Sequence, residues 1–428
     1  MKIDLHYDKK LISLQIPENN ISQVVQPWQL PRQTGNTDIL RQAVTSQHAQ
    51  AFTKLIGGKR LCVLTEDGTR ETPSADIFAR SFTLLSAAAR VQFIITTGTH
   101  NSDTPENRIL IRQIEKAARA AGINDFAVHA HDCRRDACKN LGTTARGTNI
   151  IANTLADDAD VFLVFSDMKT HYFAGYSNPI KNFVPGICAF ETTEKNHSLA
   201  LHPHSSFGLH PWHSDPKRRI NPLADDQLEA MQMLVKNRPV YTMVTLSTSD
   251  KIQWARFGPV QPVTAEAMDQ IDRWNTHTVT PVSRLIVSPG GFPNDISLYI
   301  AQRALELTGN AVLDRGEILF LAACRDGVGE HQTLENFYNR LTKPLDQILK
   351  SIESDYKLYS HKPYKFAQMI LRLRKIWLCS EIPDNLIDAA HLCPTHNPQQ
   401  IVDSWLAEDP SVKILIADGA NKIALYAK

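Results

Sequence analysis

Short apolar runs recur along the chain, each followed by a polar turn and then an amphipathic stretch. Arg60-Leu-Cys-Val-Leu-Thr65 and Val91-Gln-Phe-Ile-Ile-Thr96 have the length and residue types of buried strands. Residues 126–129, 160–165, 284–287, 317–321, 375–378 and 413–417 repeat the pattern. The clearest helix opens at Thr104-Pro105-Glu106, with a capping hydroxyl, a proline where no amide donor is needed, and an acid in the first turn. Its apolar face runs through Leu110, Ile114, Ala117 and Ala121, and Gly122 supplies a left-handed stop. Alternating strand and helix predicts an α/β protein with mostly parallel sheets.

The helical pattern around Met268, Ile271 and Trp274 gives way to Thr276-His-Thr-Val-Thr-Pro281, which predicts a boundary there. Two α/β domains are expected, 1–275 and 276–410, with an active-site cleft between them. The last strand, within 411–428, is open to completing the first domain or the second. Residues 202–222 are rich in His, Pro, Ser and Gly and predict a long loop, which is often a functional feature.

Size and charge narrow the class. The 428 residues exceed one ordinary core, and the 21% of charged residues suits a globular protein. A net charge of +1 offers no electrostatic case for nucleic acid or an anionic membrane. No apolar run reaches the roughly 20 residues a bilayer requires, and the first residues, Met1-Lys-Ile-Asp-Leu-His6, lack a signal-peptide pattern. Seven scattered cysteines fit reduced thiols. The expected location is the cytoplasm.

Candidate chemistry sits where strands should end, because open α/β sheets bind ligands beyond the carboxyl ends of their strands. Thr97-Gly98-Thr99-His100 offers backbone amides for a phosphate and an imidazole for proton exchange. A structural histidine in a connecting turn fits that motif equally well. Asp67 and Arg70 share a turn-rich loop, and an arginine there can grip a carboxylate or simply pair within the loop. His171 to His197 encloses Lys181 in aromatic and apolar sequence, where partial desolvation favours a nucleophilic amine.

Taken together, these segments resemble the lactate racemase family. The resemblance rests on Asp67-Gly-Thr-Arg70 with Thr72-Pro-Ser74, on Thr97-Gly-Thr-His100, on His171 through His197, and on Gly290-Gly-Phe-Pro-Asn-Asp-Ile296 with Tyr299. It implies a racemase or epimerase of a 2-hydroxy acid, an isomerase using a nickel-pincer nucleotide tethered to Lys181. The first domain would hold that cofactor, with His197 as the protein ligand to nickel and with Asp67, Thr97 and Gly98 around the nucleotide. His100 and His171 would be the acid/base pair, and Arg70 would bind the substrate carboxylate. Tyr299, Arg303 and His361 would complete the substrate pocket. Cofactor-biosynthesis proteins are implied partners, and a host lacking them would yield the chain without cofactor.

Two departures stand out, the first beside the cofactor and the second in the substrate pocket. Asn178-Pro179 stands where many members have Gly-Gly before the lysine. Ile300 and Arg303 stand where lactate racemases carry a glutamine and a lysine, and His361 falls near a pocket tryptophan. The expected substrate is therefore a 2-hydroxy acid other than lactate. Two further readings compete with the family reading: a zinc hydrolase built on His100, His171 and His197, and a non-catalytic nucleotide-binding protein.

Overall fold

The computed structural model describes residues 1–28, 35–70, 72–248 and 250–428. The chain divides into two compact units, Met1–Gln29 with Arg273–Lys428, and Leu30–Asp272.

The Leu30–Asp272 unit is built on a six-stranded sheet ordered Lys251–Pro259, Val240–Thr248, Val161–Asp167, Arg60–Glu66, Arg90–Thr96, Phe126–Ala130. All neighbours are parallel except the edge hairpin of Val240–Thr248 and Lys251–Pro259. Val161–Asp167 is buried along its whole length, as expected of a strand covered on both faces. One face packs Phe52, Phe78, Phe82, Phe93 and Phe165, and Phe82 stacks on Phe93 at 5.1 Å. The other packs Ile150, Phe162, Ile180, Phe183 and Met231. The helix expected after Thr104 spans Pro105–Ala120, with the Thr104 hydroxyl accepting from the Asn107 amide at 3.1 Å. Gly122 follows at φ +74°, the left-handed stop its position called for.

The chain runs from Arg60–Glu66 outward through Arg90–Thr96 and Phe126–Ala130. It then returns to the opposite side of Arg60–Glu66 with Val161–Asp167. This reversal leaves a crevice at the carboxyl ends of the two central strands, the usual ligand position in such sheets.

The other unit holds a six-stranded parallel sheet ordered Cys393–Pro394, Lys375–Cys379, Val312–Leu321, Val282–Ser288, Ile414–Asp418, Ile21–Val25. Its membership differs from the sequence expectation of a first domain covering 1–275. Ile21–Val25 pairs in parallel with Ile414–Asp418, so the N-terminal arm belongs here, and so does the last strand. The physical reason is long-range pairing: an edge strand of mixed polarity gives no local sign of its partner. The Gly290–Ile296 block also finds its explanation in this unit. Gly291 lies at φ +65°, and a Cβ there would fall 2.4 Å from the Asp8 carbonyl oxygen. The Asp295 carboxylate accepts from the Asp8 amide at 2.7 Å and the Ala323 amide at 3.2 Å. The block clamps the N-terminal hairpin to the sheet.

Among the described residues no helix is long and apolar enough to cross a membrane. All seven cysteines are free.

Candidate active site

Four segments meet beyond the strand ends of the Leu30–Asp272 unit. After Arg60–Glu66 comes the Asp67–Arg70 turn. Asp67 is buried, and its carboxylate faces the His100 Nδ1 at 3.1 Å and the Arg70 Nε at 3.5 Å. Burial pushes the Asp67 carboxyl upward, but the His100 hydrogen bond and the Arg70 charge outweigh it and hold the group below the usual carboxylate range. An ionised Asp67 therefore orients both the His100 and the Arg70 side chains. Arg70 itself is half-exposed, so its guanidinium remains reachable.

After Arg90–Thr96 comes Thr97–His100. The Thr97 hydroxyl donates to the His131 carbonyl, and the Gly98 amide donates to the Gly186 carbonyl at 3.1 Å. Both groups expected near a nucleotide phosphate are thus used here to brace the loop. Gly98 lies at φ +57°, and a Cβ there would fall 3.5 Å from the Pro185 ring. Thr96 donates to the Asn182 side chain at 2.8 Å, tying this strand to the lysine segment.

After Val161–Asp167 the chain folds into a hairpin, Lys169–His171 against Gly175–Ser177, with His171 at its tip. The His171 Nδ1 receives the Ala174 amide at 3.3 Å. Its ring meets Phe173 edge-on at 4.5 Å and stacks on Tyr172 at 5.3 Å. The turn Pro179–Asn182 then presents Lys181. Asn178 caps that turn by accepting from the Ile180 amide at 2.9 Å, and it donates to the Tyr176 carbonyl at 2.9 Å. Asn178-Pro179 is therefore a rigid cap that fixes where Lys181 emerges. The Lys181 Nζ lies 5.7 Å from the Phe173 ring centre, and His197, on the helix Phe190–Ser198, packs on the same ring at 5.4 Å. Burial, then the Lys181 charge, pushes the His197 imidazole down to about 3. His197 is held as a neutral imidazole, the form that binds metals. His171, Lys181 and His197 thus share one aromatic pivot, Phe173.

Among the described residues, the histidines of the long loop join no metal-ligating group of three. Asn221 donates to the carbonyls of Phe173 at 2.9 Å, Ser206 at 3.2 Å and Leu209 at 3.1 Å. Gly175 is needed there, because a Cβ would sit 2.1 Å from the Leu209 oxygen. The Tyr176 hydroxyl donates to Asp272 at 2.8 Å, and Asp272 also holds His213 at 3.0 Å and Arg218. The loop is a clamp on the His171 hairpin.

The model of the lactate racemase N-terminal domain matches residues 7–208 of this chain. A relative named lactate racemase from Thermoanaerobacterium thermosaccharolyticum is 24% identical over 346 residues, covering 78% of this chain and 76% of its own. Another so named, from Lactiplantibacillus plantarum, is 24% identical over 447 residues, covering 98% of this chain and 99% of its own. Residues 7–208 thus match the lactate racemase N-terminal domain, and the chain is similar to lactate racemases over nearly its whole length. Among solved structures, that of the lactate racemase apoprotein from Thermoanaerobacterium thermosaccharolyticum matches with a TM-score of 0.82 at 20% identity over the whole of both chains. A Thermotoga maritima protein matches with a TM-score of 0.61 at 15% identity, over 89% of this chain and 98% of that one. At these identities the structural likeness is one of fold.

The family's lactate racemases frame the remaining candidates, which lie in the other unit. Tyr299 and Arg303 stand on the helix Leu298–Thr308, and His361 opens the helix His361–Arg372. His361 is buried, with its Nδ1 2.8 Å from the Tyr356 hydroxyl. Ile300, at the position of the expected amide, is exposed. Sequence reasoning missed two residues beside them. Lys362 is buried, lies 4.0 Å from the Tyr299 ring centre and donates to the Tyr299 carbonyl at 2.5 Å. Gln302 is buried and donates to Glu306 at 2.9 Å and to the Lys362 carbonyl at 3.2 Å. Burial pushes the Lys362 amine down to about 7, with Glu306 opposing and Arg303 reinforcing.

In the Leu30–Asp272 unit, Glu66, Asn182 and Asp272 were not singled out, and Phe173 was noted only among the aromatic residues around Lys181. Finally, His100, His171 and His197 do not form a metal-ligating group: among the described residues no three His, Cys, Asp or Glu side chains do. The three-histidine zinc site of the hydrolase reading is not formed.

Proposed function

We propose that this chain is a racemase or epimerase of a 2-hydroxy acid that works with a nickel-bearing pincer nucleotide. The observation that carries the reading is the grouping of Lys181, His197 and His171 on Phe173, with the Asp67–His100 pair on the adjacent loops.

The donor set fits such a group. One neutral imidazole, His197, stands where among the described residues no three protein ligands converge, so a metal there needs donors brought by its own organic carrier. Lys181, presented by a capped turn against an aromatic wall, is placed to tether that carrier. When bound, the group supplies a two-electron acceptor for the C2 hydrogen taken as hydride.

The chain's own residues do the rest. Arg70, oriented by Asp67, offers two parallel donors to the substrate carboxylate. His100 and His171 exchange the hydroxyl proton, one for each configuration at C2. Taking the C2 hydrogen with its electrons while a histidine takes the hydroxyl proton leaves a planar 2-oxo carboxylate whose C2 carbonyl is neutral. That route avoids a carbanion beside a carboxylate. Arg303, Tyr299 and His361, with Ile300 in place of an amide donor, argue for a 2-hydroxy acid other than lactate.

The test is intact-protein mass spectrometry with nickel analysis, on protein made alongside the cofactor-building proteins. A mass addition on Lys181 with near-equimolar nickel is expected, and Lys181→Ala should lose both. No adduct under conditions that load a lactate racemase control would overturn the reading. Faster turnover of lactate than of any bulkier 2-hydroxy acid would overturn the substrate assignment alone.

A further inference from the structure

We propose that His100 and His171 are held in opposite tautomers, so that the resting enzyme is poised to begin from only one configuration of its substrate. The inference rests on the acid/base roles given above and says which histidine acts first.

Each imidazole's tautomer is set by whether its Nδ1 partner can donate or only accept. Asp67 is an ionised carboxylate and can only accept, so the His100 Nδ1, 3.1 Å away, must carry the proton. Neutral His100 therefore has a bare Nε2, the form of a general base. The partner of the His171 Nδ1 is the Ala174 backbone amide, which can only donate, at 3.3 Å. That nitrogen must be bare, and neutral His171 carries its proton on Nε2. The same contact excludes an imidazolium, in which Nδ1 would present a second proton to the amide.

The consequences follow atom by atom. A substrate whose hydroxyl faces His100 loses its O–H proton to Nε2. The resulting imidazolium is held by the Asp67 carboxylate, and the oxidation itself is the chemistry the bound group supplies. A substrate whose hydroxyl faces His171 meets an N–H, which can donate a hydrogen bond but cannot accept the proton. His171 takes part as a base only after its Nδ1 is protonated and the Ala174 contact is broken. It acts as an acid only as an imidazolium, since giving up a proton from the neutral ring would leave an imidazolate. Both routes require the tip of the hairpin Lys169–His171/Gly175–Ser177 to yield. Asn221 on the Phe173 carbonyl and the close Leu209–Gly175 approach oppose that movement. Ala174 thus acts as a latch, and Asp67 is a positioning residue for His100.

Steady-state rates cannot reveal this. The ratio of kcat/KM in the two directions is fixed by the equilibrium constant, which is one for a pair of enantiomers. The first measurement is nitrogen NMR of histidine-labelled protein without cofactor, at a pH where the imidazoles are neutral, assigned with His100→Gln and His171→Gln. The expected result is protonated Nδ1 in His100 and protonated Nε2 in His171, and one shared tautomer would overturn the proposal. Asp67→Asn keeps an oxygen acceptor but adds a donor, so it no longer enforces the tautomer. His100 should then become a mixture while His171 is unchanged, and turnover should fall about 10²–10⁴-fold. An unaltered His100 spectrum in that variant would overturn the role of Asp67.

The second measurement is the rate at which loaded enzyme first oxidises each enantiomer to the 2-oxo acid, before release of the opposite configuration. One should be oxidised about tenfold faster or more, equivalent to roughly 1.4 kcal/mol of barrier. Equal rates of this first oxidation would overturn the proposal. Opposite tautomers with no turnover of any 2-hydroxy acid would overturn the functional reading and the poised start, while leaving the tautomer assignment standing.

Discussion

The two units hold their functional side chains by different means. In Leu30–Asp272 most charged groups near the site are matched: Asp67 with His100 and Arg70, and Asp272 with His213, Arg218 and Tyr176. In the other unit, Lys362 lies buried on an aromatic ring, with Arg303 close enough to disfavour its charge and Glu306 opposing that. A matched network resists loss of any one member, because what remains is a buried charge without its counterpart. A buried cation with too little compensation instead carries a standing cost, which pH can expose. The difference should be measurable.

The largest effect is expected where matching is densest. Asp272→Ala removes acceptors from Tyr176, His213 and Arg218 at once and should destabilise the protein by about 3–5 kcal/mol. It should also loosen the hairpin that carries His171. Equilibrium denaturation checks the first consequence. Limited proteolysis within 202–222 checks the second. A loss below about 1 kcal/mol would mean that the clamp is no more than an exposed ion pair.

Lys362→Met tests the opposite regime. The amine is lowered in the fold, from 10.5 to about 7. Above the ordinary lysine range both folded and unfolded forms are neutral, and no penalty exists. As pH falls toward 7 the unfolded chain takes up the proton first, and the wild-type fold loses about 1.4 kcal/mol for each pH unit. Below 7 the loss levels off. The variant gives up the Tyr299 carbonyl hydrogen bond but escapes this slope. Its stability relative to wild type should therefore improve steadily from pH 10 to pH 7, and parallel curves would show an ordinary lysine.

The same contrast explains what the sequence made legible. The strand runs at 60–65, 91–96 and 160–165 appear as Arg60–Glu66, Arg90–Thr96 and Val161–Asp167, because each is buried on both faces and so written in consecutive apolar residues. The loops after them advertise polar residues for the same reason, and the Lys181 and His100 segments stood out. The edge hairpin Val240–Pro259 and the strand Ile21–Val25 were not recognised, since edge strands mix polar and apolar positions and find partners at long range. Lys362 was invisible because its burial is conferred by the packing of the helix His361–Arg372, and His-Lys-Pro-Tyr-Lys reads locally as surface. The Asp272 clamp joins residues 176, 213, 218 and 272, a juxtaposition that no local pattern encodes.

The smallest effect expected, and the one that most sharpens the comparison, lies at Glu66. It sits in the matched unit but behaves like a member of the other. Its Oε1 accepts from the Ser166 hydroxyl at 3.2 Å and the Asp167 amide at 3.1 Å, and its Oε2 accepts from the Thr72 hydroxyl at 3.3 Å. Burial, then the neighbouring Asp167 carboxylate, pushes the Glu66 carboxyl up to about 7, against the pull of Arg70 and Lys169. Because the folded value is raised, the stabilisation is fully present below the unfolded carboxyl range, near 4.5, and is lost as pH rises through about 7. Glu66→Gln mimics the protonated form and keeps the acceptor for the Asp167 amide. It should match wild type near pH 4.5 and then exceed it by on the order of 2 kcal/mol by pH 8. Denaturant midpoints measured across that interval decide the matter. A constant difference between the two proteins would mean that Glu66 ionises as an ordinary surface acid, and that the strand end beside Asp67 is as fully matched as the rest of its unit.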